Sequence, residues 1–500
     1  MRARCGDIVL QSLVGGLLCA GTANAQFIES ELEFNVPIDS HRVLRGFEDG
    51  RGSILLTGRS KTSEKYIALY PILNDSVHAT ATIDMIVPAE VLFFDAGRVG
   101  DEMSLLFLTP SGISRLEPES ATLLPLADMS SIFRTPSNAA VTELDFFMDV
   151  NQDGRDDIVL TDFDGLRIAL QSEDGFVQQN VLNIRPELRF NQGAPYYQVQ
   201  DLHYFDFTLD GKKDLAIIRD NRFLVFEYTE SGFASSAISM PIDIEILDEG
   251  NQSYDDQVVD IDQSDFRVSR IDKVADLDGD ALPDIMTITT VSSGLFNKHT
   301  EYNVHLGREA SDGVRYESIA DAQIPSDGIQ VALSLLGEDD DTGKDLVSTS
   351  FRLGFGELIT ALFSRSIKIN VELYRIGTVP LYPAEPDYRA KVKLRFSLST
   401  GFVNVPAVRF GDFDGDGNSD LMLQQDVEGL EIRLGDGRDF KSGKLKWLTT
   451  LPRDGTLIKV VDVNGDERQD VLVGYGRGDG DEMRTRLRIL LGHPMEGDAR

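Results

Sequence analysis

The sequence predicts an all-β protein, a β-propeller of eight four-stranded blades, or of seven if one degenerate repeat is irregular. Three observations favour this fold. One acidic nine-residue pattern occurs five times, and each copy runs directly into a short apolar segment. The copies recur at a spacing that leaves room for about four short strands per repeat, which is typical of propellers. The N-terminal segment also supplies a kind of strand that the last repeat lacks.

The acidic pattern carries oxygen-bearing side chains at its positions 1, 3, 5 and 9. The five copies span Asp149–Asp157, Asp206–Asp214, Asp276–Asp284, Asp412–Asp420 and Asp462–Asp470. Alternating Asp and Asn on a tight loop offers the hard oxygen ligands that calcium prefers. Position 6 is Gly in three copies, where the chain has to bend sharply. Position 7 varies, as expected of a residue that contributes only its backbone carbonyl.

An EF-hand is excluded by the residues after position 9. That motif requires a Glu at position 12 and flanking helices. Position 12 is here Leu160, Ile217, Thr287, Leu423 or Val473. The segments after position 9 are apolar, rich in β-branched residues and bounded by turns, so they are predicted to form buried strands.

The spacing of the copies indicates further, degenerate repeats. Successive first positions lie 57, 70, 136 and 50 residues apart, and the longest gap equals about two repeats. A decayed copy, Gly337–Asp345, lies inside that gap. Upstream, Leu92–Leu108 and Arg42–Gly58 keep the strand–loop–strand form but have lost most of the ligands. The total is eight repeats.

The two ends of the chain are predicted to close the ring. Several repeats finish with a segment that opens on an aromatic residue: Phe176–Pro186, Phe233–Asp243 and Phe440–Pro452. The last repeat stops at Arg500 without such a segment, whereas Phe27–Asp39 has its form. We therefore expect the N-terminal strand to complete the final blade, which leaves no open sheet edge at the join.

One repeat is longer than four strands require, with an insertion around residues 356–398. It carries a basic cluster, Arg389, Lys391, Lys393 and Arg395, on an otherwise acidic chain. A local basic insertion is a candidate partner site. The alternative is that the segment forms two long strands joined by a decorated loop.

Residues 1–25 are predicted to be a signal peptide. Arg2 and Arg4 precede an apolar stretch, and an Ala-x-Ala site places cleavage near Ala25. The folded domain is then residues 26–500, exported to the periplasm, the cell surface or the medium. Both cysteines lie in the leader, so disulfides are not expected in the mature chain. No later apolar run reaches the length that a transmembrane helix needs.

The net charge of −35 excludes one class of partner and favours another kind of ligand. Such a surface repels nucleic acid, which is not expected as a partner. Part of the acidity is concentrated in the five loops, where bound cations would offset it.

The acidic loop before an apolar strand resembles the FG-GAP or VCBS repeat of integrin α-subunit propellers and of many bacterial secreted proteins. Phe410 and Gly411 match the "FG" half of the motif, and the "GAP" tripeptide is missing. The resemblance implies a β-propeller with Ca²⁺ in loops between the first and second strands of a blade, here in three to five sites. The ligands that it implies are Asp149, Asn151, Asp153, Asp157, Asp206, Thr208, Asp210, Asp214, Asp276, Asp278, Asp280, Asp284, Asp412, Asp414, Asp416, Asp420, Asp462, Asn464, Asp466 and Asp470.

The loops differ in how well they match. Thr208 replaces a charged ligand, so the second loop is expected to bind more weakly. Ala281 and Glu467 stand where the other copies have Gly at position 6. Pro283 follows at position 8 of the third loop, which is expected to make that loop tighter.

No catalytic motif accompanies these loops. The six histidines lack metal-binding spacing, and there is no nucleophile elbow. Three hypotheses remain. The first and favoured one is a calcium-binding interaction module that recognises a protein or a glycan and is not an enzyme. The others are a calcium-stapled polysaccharide lyase or hydrolase, and a purely structural envelope protein.

Overall fold

The computed structural model describes residues 26–493 except 48–51, 74–75, 79, 119, 136–140, 192–193, 245, 247–264, 295–297, 327, 337–342, 353, 355, 357–360, 362, 397–402 and 442. The predicted signal peptide therefore lies outside the described residues, as does most of the decayed loop at 337–345. The described chain forms a β-propeller of eight antiparallel blades, which confirms the higher of the two blade numbers.

Each blade is a meander of four strands, because short alternating or fully apolar segments are separated by turns. Blades 1 to 4 consist of Ile38–Arg45, Gly52–Arg59, Lys65–Leu73 and Ile83–Val87; Phe93–Val99, Glu102–Thr109, Gly112–Glu117 and Thr122–Ala127; Phe147–Met148, Asp157–Asp162, Gly165–Ser172 and Gly175–Gln178; and His203–Phe205, Asp214–Arg219, Arg222–Phe226 and Ile238–Pro241.

Blades 5 to 8 follow the same plan. They consist of Asp265–Ala275, Asp284–Ser293, Lys298–His305 and Ala322–Pro325; Ile329–Leu336, Asp345–Phe351, Ser366–Tyr374 and Tyr388–Phe396; Val408–Gly411, Asp420–Asp426, Gly429–Leu434 and Gly443–Leu448; and Ile458–Val461, Asp470–Val473, Arg486–His493 and Gln26–Glu33.

Shorter strands decorate this frame. They are Ser76–Val77, Thr142–Glu143, Tyr228–Thr229 paired with Gly232–Phe233, Arg308–Ala310 paired with Gly313–Arg315, Val403–Asn404, and a separate hairpin formed by Glu187–Asn191 and Ala194–Gln198.

The N-terminal strand closes the ring, as predicted. Gln26–Glu33 pairs antiparallel with Arg486–His493 over its whole length, from Gln26 opposite His493 to Glu33 opposite Arg486. Phe27 inserts edge-on between Phe413 and Trp447 of the neighbouring blade. Pairing the first strand with the last gives blade 8 four strands and removes an open edge at the join.

The core is divided among the seams between blades. The described residues form eight buried hydrophobic clusters, and each one joins residues of two adjacent blades. The cluster that joins blades 8 and 1 contains Leu32, Val36, Ile54 and Leu487. Because every seam has its own core, burial of apolar surface itself favours the closed ring.

The first strand of each blade lies on the axis side. The N-terminal strand, which is of the fourth type, occupies the opposite edge of blade 8. First strands of neighbouring blades also approach each other, as Val408–Gly411 and Ile458–Val461 do. The loops that join first to second strands therefore share one rim of the propeller.

The overlong repeat contributes the outer half of blade 6. Its strands Ser366–Tyr374 and Tyr388–Phe396 pair with each other from Ser366 opposite Arg395 to Leu373 opposite Tyr388. This is the arrangement of two long strands that was the alternative to a partner-binding insertion. Part of the segment before Ser366 lies outside the described residues.

Candidate metal sites in the acidic loops

All five acidic loops join the first strand of a blade to the second, in blades 3, 4, 5, 7 and 8. In every case the second strand begins at position 9 of the pattern, at Asp157, Asp214, Asp284, Asp420 or Asp470. A strand thus follows where an EF-hand would have a helix, and the location between first and second strands is the one that the family resemblance implies.

The carboxylate at position 9 is buried and links two segments of its blade through hydrogen bonds. In blade 7 the Asp420 Oδ2 accepts a hydrogen bond from the Phe413 backbone N–H at 2.9 Å, and Oδ1 accepts from the Gly435 N–H at 2.8 Å. Two backbone N–H groups also bond each of the other four position 9 residues, and all five residues are fully buried. The donor within the loop is the position 2 N–H in every blade except blade 4, where it is the position 3 N–H of Thr208. This residue therefore ties the loop to the end of the third strand whether or not a metal is bound.

Positions 1 and 5 shape the loop from within. In blade 7 the Asp412 Oδ2 accepts from the Gly417 N–H at 2.7 Å, and the Asp416 Oδ1 accepts from the Asn418 N–H at 2.8 Å. The equivalent bonds occur in the other four loops. Asp side chains commonly bond backbone groups a few residues further on, so the repeat encodes one turn geometry five times.

Positions 4 and 6 both adopt the left-handed backbone conformation in all five loops. Position 6 was expected to bend, and Ala281 and Glu467 do so without Gly, at φ of 68° and 69°. Position 4 was not singled out from the sequence, although three copies have Gly there. Gln152 and Leu209 occupy it with φ of 61° and 64°. Non-Gly residues at positive φ are costly, which makes them a mark of a loop geometry shared by all five copies rather than of local preference.

Two loops bring three carboxylates together. Positions 1, 3 and 9 converge in blade 5 and in blade 7, where one oxygen of each residue lies within 4.8 Å of the others: Asp276, Asp278 and Asp284, and Asp412, Asp414 and Asp420. The Asp278 Oδ1 atom is buried and has no hydrogen-bond partner in the described structure. Three convergent carboxylates with a spare buried oxygen are a donor set that suits a hard cation. Position 5, Asp280 or Asp416, is not part of either cluster.

Burial, and to a smaller extent the crowding of negative charge, raises the pKa of these groups. Burial raises the pKa of Asp284 and of Asp420 to about 7, against the opposing effect of their two backbone hydrogen bonds. Burial and the neighbouring position 5 carboxylate also raise the pKa of Asp278 and of Asp414. A bound cation would remove this penalty, because it stabilises the ionised forms.

The loops of blades 3 and 8 have Asn at position 3 and hence a different donor set. Asn151 accepts from the Asp153 N–H at 3.0 Å through its Oδ1, and Asn464 accepts from the Asp466 N–H at 3.3 Å. A three-carboxylate cluster at positions 1, 3 and 9 cannot form there, so only a neutral oxygen completes the set.

The loop of blade 4 departs furthest. The Thr208 hydroxyl and backbone N–H both donate to the Asp214 Oδ2, each at 3.0 Å. The position 3 side chain is thus used to satisfy position 9. Of the five loops, this one has Thr in place of Asp or Asn at position 3, and that hydroxyl already donates to a carboxylate of the same loop.

Neighbouring loops touch across the seams. The Gln469 N–H donates to the Asp412 carbonyl at 2.8 Å, linking the loops of blades 8 and 7. The Lys344 N–H donates to the Leu277 carbonyl at 2.7 Å, linking blade 6 to the loop of blade 5. A cation that stiffens one loop would therefore also restrain the adjoining blade.

A further acidic group was not anticipated from the sequence. Asp95, Glu143 and Asp145 have oxygens within 4.8 Å of one another, between blades 2 and 3. Asp95 already accepts three backbone N–H groups, from Ala96, Phe146 and Phe147. Glu143 is ion-paired with Arg42. These partners already satisfy Asp95 and Glu143, so the cluster is explained by its structural role. Its residues follow no motif in the sequence.

The hairpin between blades 3 and 4 was also missed. Leu188 and Tyr197 face each other across it, and these two residues together with Phe190 and the adjoining Phe163 are each about half exposed. Phe163 meets Tyr197 edge-on at 5.1 Å between ring centroids. Clustered exposed apolar side chains are typical of interaction surfaces. The alternation of apolar and polar residues at 187–191 was the available signal.

The basic cluster at 389–395 lies on the solvent face of the outer strand of blade 6. Arg389 pairs with Glu372 at 3.1 Å, and Arg395 pairs with Asp426 at 2.6 Å. The intervening Ala390 and Val392 are buried. Period-two alternation therefore explains the cluster as the polar face of a strand.

The fold and the loops define the class of protein, a β-propeller with acidic loops between first and second strands. A family model for the FG-GAP-like repeat matches residues 412–473, which run from the acidic loop of blade 7 to the second strand of blade 8. The chain is thus an eight-bladed β-propeller that carries an FG-GAP-like repeat at residues 412–473.

Similar solved structures include a lectin of Agrocybe aegerita that recognises non-reducing terminal N-acetylglucosamine, at 14% identity over 83% of this chain and 86% of that chain, with a TM-score of 0.34. The V. cholerae biofilm matrix protein Bap1 is similar at 12% identity over 92% of this chain and 89% of that chain, with a TM-score of 0.39. No curated protein matches the chain. Among the described residues, no helix has the length and apolar character to cross a membrane.

Proposed function

We propose that this protein is a calcium-binding interaction module that acts outside the cytoplasm, recognises a protein or glycan and catalyses no reaction. The observation that carries the metal assignment is the convergence of positions 1, 3 and 9 in blades 5 and 7. Calcium fits this donor set best, because the loops offer carboxylate, amide and hydroxyl oxygens and contain neither His nor Cys.

The proposed ligands rank by charge. Asp276, Asp278 and Asp284, and Asp412, Asp414 and Asp420, would hold the tightest sites. The loops of blades 3 and 8, with Asn at position 3, would follow, and the loop of blade 4 would be weakest. Position 9 can serve both roles, because a carboxylate has about four acceptor sites and backbone amides use two of them.

The role of the metal would be to stabilise the acidic loops and the contacts that they make with adjacent blades. An empty loop concentrates carboxylates that repel each other, and the loops contact adjacent blades. Metal that binds the folded loop and not the unfolded chain stabilises the fold by mass action. Export to a calcium-rich compartment, as residues 1–25 predict, would supply the ion.

Thermal unfolding of the purified protein in excess calcium, in excess magnesium and in excess chelator tests this proposal. We expect a midpoint several degrees higher in calcium than in chelator, since about 2.7 kcal/mol is gained per site at a hundredfold excess over Kd. Magnesium should give a smaller rise, because it requires a stricter octahedral geometry. Equal midpoints in all three conditions would mean that the loops are solvated turns.

The hairpin at 187–198 supports the interaction part of the proposal. Its apolar face is formed by Leu188, Phe190 and Tyr197, which are exposed to solvent. Exposed apolar patches of this kind often mark sites where a partner binds. Binding to arrays of glycans and of extracellular proteins in calcium should weaken in a Phe190→Ser/Tyr197→Ser variant. Leu448→Ser, at an 81% exposed position of blade 7, is the matched control and should bind normally. If the Phe190→Ser/Tyr197→Ser variant bound as well as Leu448→Ser, the partner-binding surface would not include this hairpin.

A further inference from the structure

A group of cations lies on the axis side of three adjacent blades, although the net charge of the protein is strongly negative. Arg42, Arg409 and Lys459 belong to the first strands of blades 1, 7 and 8. They line one cavity of about 370 Å³, together with Val43, Val460 and Val461. The whole chain has 83 acidic and 48 basic residues, so three clustered cations are unexpected on charge balance alone.

Two of these cations are held by backbone carbonyls. Arg409 donates from Nε to the Ile458 carbonyl at 2.9 Å, from Nη2 to the Gly455 carbonyl at 3.0 Å and from Nη1 to its neighbour Val408 at 2.9 Å. Lys459 donates from Nζ to the His41 carbonyl at 2.6 Å. Within the described part of the chain, neither Arg409 nor Lys459 forms an ion pair.

These bonds leave donors unused. A guanidinium has five N–H groups and an ammonium has three, so each cation keeps two N–H groups after the contacts above. Arg42, the third cation, is ion-paired with Glu143. The carboxylate of Asp454 influences Arg409 electrostatically but accepts its hydrogen bonds from Thr456. The positive charge of Arg409 and Lys459 is therefore fixed in place and only partly compensated.

The surroundings make the charge of the half-buried Arg409 costly, whereas Lys459 is more exposed. Burial lowers the pKa of Arg409, and desolvation together with the nearby Arg42 lowers the pKa of Lys459. An anion in the cavity would offset both effects, because it favours the charged forms. Charge-assisted hydrogen bonds to an anion are also stronger than those between neutral groups.

We propose that this axial cavity is a binding site for a small carboxylate with an aliphatic body, whose carboxylate bonds Lys459 and Arg409. The aliphatic preference follows from Val43, Val460 and Val461, which line the same cavity and have no hydrogen-bonding side chain to offer a hydroxylated ligand. The site uses none of the acidic-loop residues and goes beyond the proposed calcium function.

Isothermal titration calorimetry of the purified protein with 3-methylbutanoate tests the site. We expect saturable binding with a Kd at or below about 5 mM. The neutral 3-methylbutanamide should bind at least about tenfold more weakly, because it lacks the charge that the cations complement. Titrations in calcium and in chelator should agree, which separates a failure here from a failure of the metal proposal.

Lys459→Met should weaken 3-methylbutanoate binding by about tenfold or more, whereas Lys459→Arg, which keeps the charge, should stay within about threefold. Lys446→Met, at an exposed position on the outer strand of blade 7, is the matched control and should bind normally. Unfolding midpoints would show that each variant is folded.

Several results would overturn the proposal. They are an absence of saturation at about 20 mM, equal binding of the amide, or binding unchanged in Lys459→Met. Glucuronate that binds more tightly than 3-methylbutanoate would contradict the aliphatic preference. Sulfate that binds as well would reduce the cavity to a general anion site. The affinities of the wild-type protein for 3-methylbutanoate, glucuronate and sulfate decide these last two points without any variant.

Discussion

The acidic loops of blade 7 and blade 4 share most of their backbone hydrogen bonds and differ at position 3. In both, position 1 accepts from the N–H of position 6, position 5 accepts from position 7, and position 9 is buried and accepts from two backbone N–H groups. At position 3, Asp414 converges with Asp412 and Asp420, whereas Thr208 donates to Asp214. The loop geometry is therefore maintained by positions 1, 5 and 9, and position 3 decides whether three carboxylates meet.

The largest expected effect falls where the two loops agree. Asp420→Ala and Asp214→Ala each leave two backbone N–H groups without their acceptor in a fully buried place. We expect each variant to lose about 3 kcal/mol of unfolding free energy or more in chelator, as measured by urea denaturation.

In calcium, Asp420→Ala should lose more than Asp214→Ala, because only the blade 7 site would also lose a charged ligand. A variant of either residue that matched the wild type in chelator would show that position 9 has no structural role apart from metal.

The second effect separates the loops. Asp414→Ala should lose roughly 1–3 kcal/mol in calcium, through lost metal affinity. In chelator it should be neutral or slightly more stable, since one of three crowded carboxylates is removed. Urea denaturation in both conditions measures the difference.

Thr208→Ala is the matched change in blade 4. It removes one hydrogen bond to Asp214 and should cost about 1 kcal/mol equally in calcium and in chelator. A calcium-dependent loss in Thr208→Ala as large as that in Asp414→Ala would mean that blade 4 binds metal as strongly as blade 7.

Period-two strands, repeat spacing and the acidic pattern were sufficient to predict the blades, the closing N-terminal strand and the position of the loops. These features are local in sequence, or repeat, and so remain readable without the tertiary structure. The left-handed conformation at position 4 was missed because Gln152 and Leu209 hide it in two copies.

Features that join distant segments could not be predicted in the same way. Asp95 meets Glu143 and Asp145 only because the Thr142–Glu143 strand pairs with Phe93–Val99. Arg42 is hundreds of residues from Arg409 and Lys459 and meets them because blade 1 follows blade 8 around the ring. The arrangement of the blades, rather than sequence proximity, creates both groups.

A third prediction converts the weaker loop toward the stronger. Thr208→Asp restores a carboxylate at position 3, beside Asp206, Asp210 and Asp214. In chelator we expect a loss of about 1 kcal/mol from like-charge crowding and from the lost hydroxyl bond. In calcium the loss should be offset or reversed, and the calcium-induced rise in unfolding midpoint should exceed that of the wild type.

Thr208→Asn is the control for this change, because it adds an oxygen without charge and should give an intermediate response to calcium. If Thr208→Asp showed no larger calcium response than the wild type, position 3 would not be what limits blade 4.

The smallest expected effect on unfolding free energy concerns position 4, where an apolar side chain stabilises the blade 4 loop. Leu209 at position 4 has a strained positive φ, yet it packs against the core cluster between blades 4 and 5. Gln152 has the same backbone conformation in blade 3 and an exposed side chain. Gln152→Gly should therefore stabilise the protein by about 0.5 kcal/mol, since strain is relieved and no packing is lost.

Leu209→Gly should instead destabilise the protein by about 0.5–1 kcal/mol, because lost apolar burial exceeds the relief of strain. Urea denaturation in chelator measures both variants, with no metal contribution to obscure the comparison. Stabilisation by both would mean that Leu209 contributes nothing to the seam. Opposite signs would indicate that apolar packing of Leu209 stabilises the blade 4 loop, where blade 7 has a carboxylate at position 3 that is proposed to bind metal.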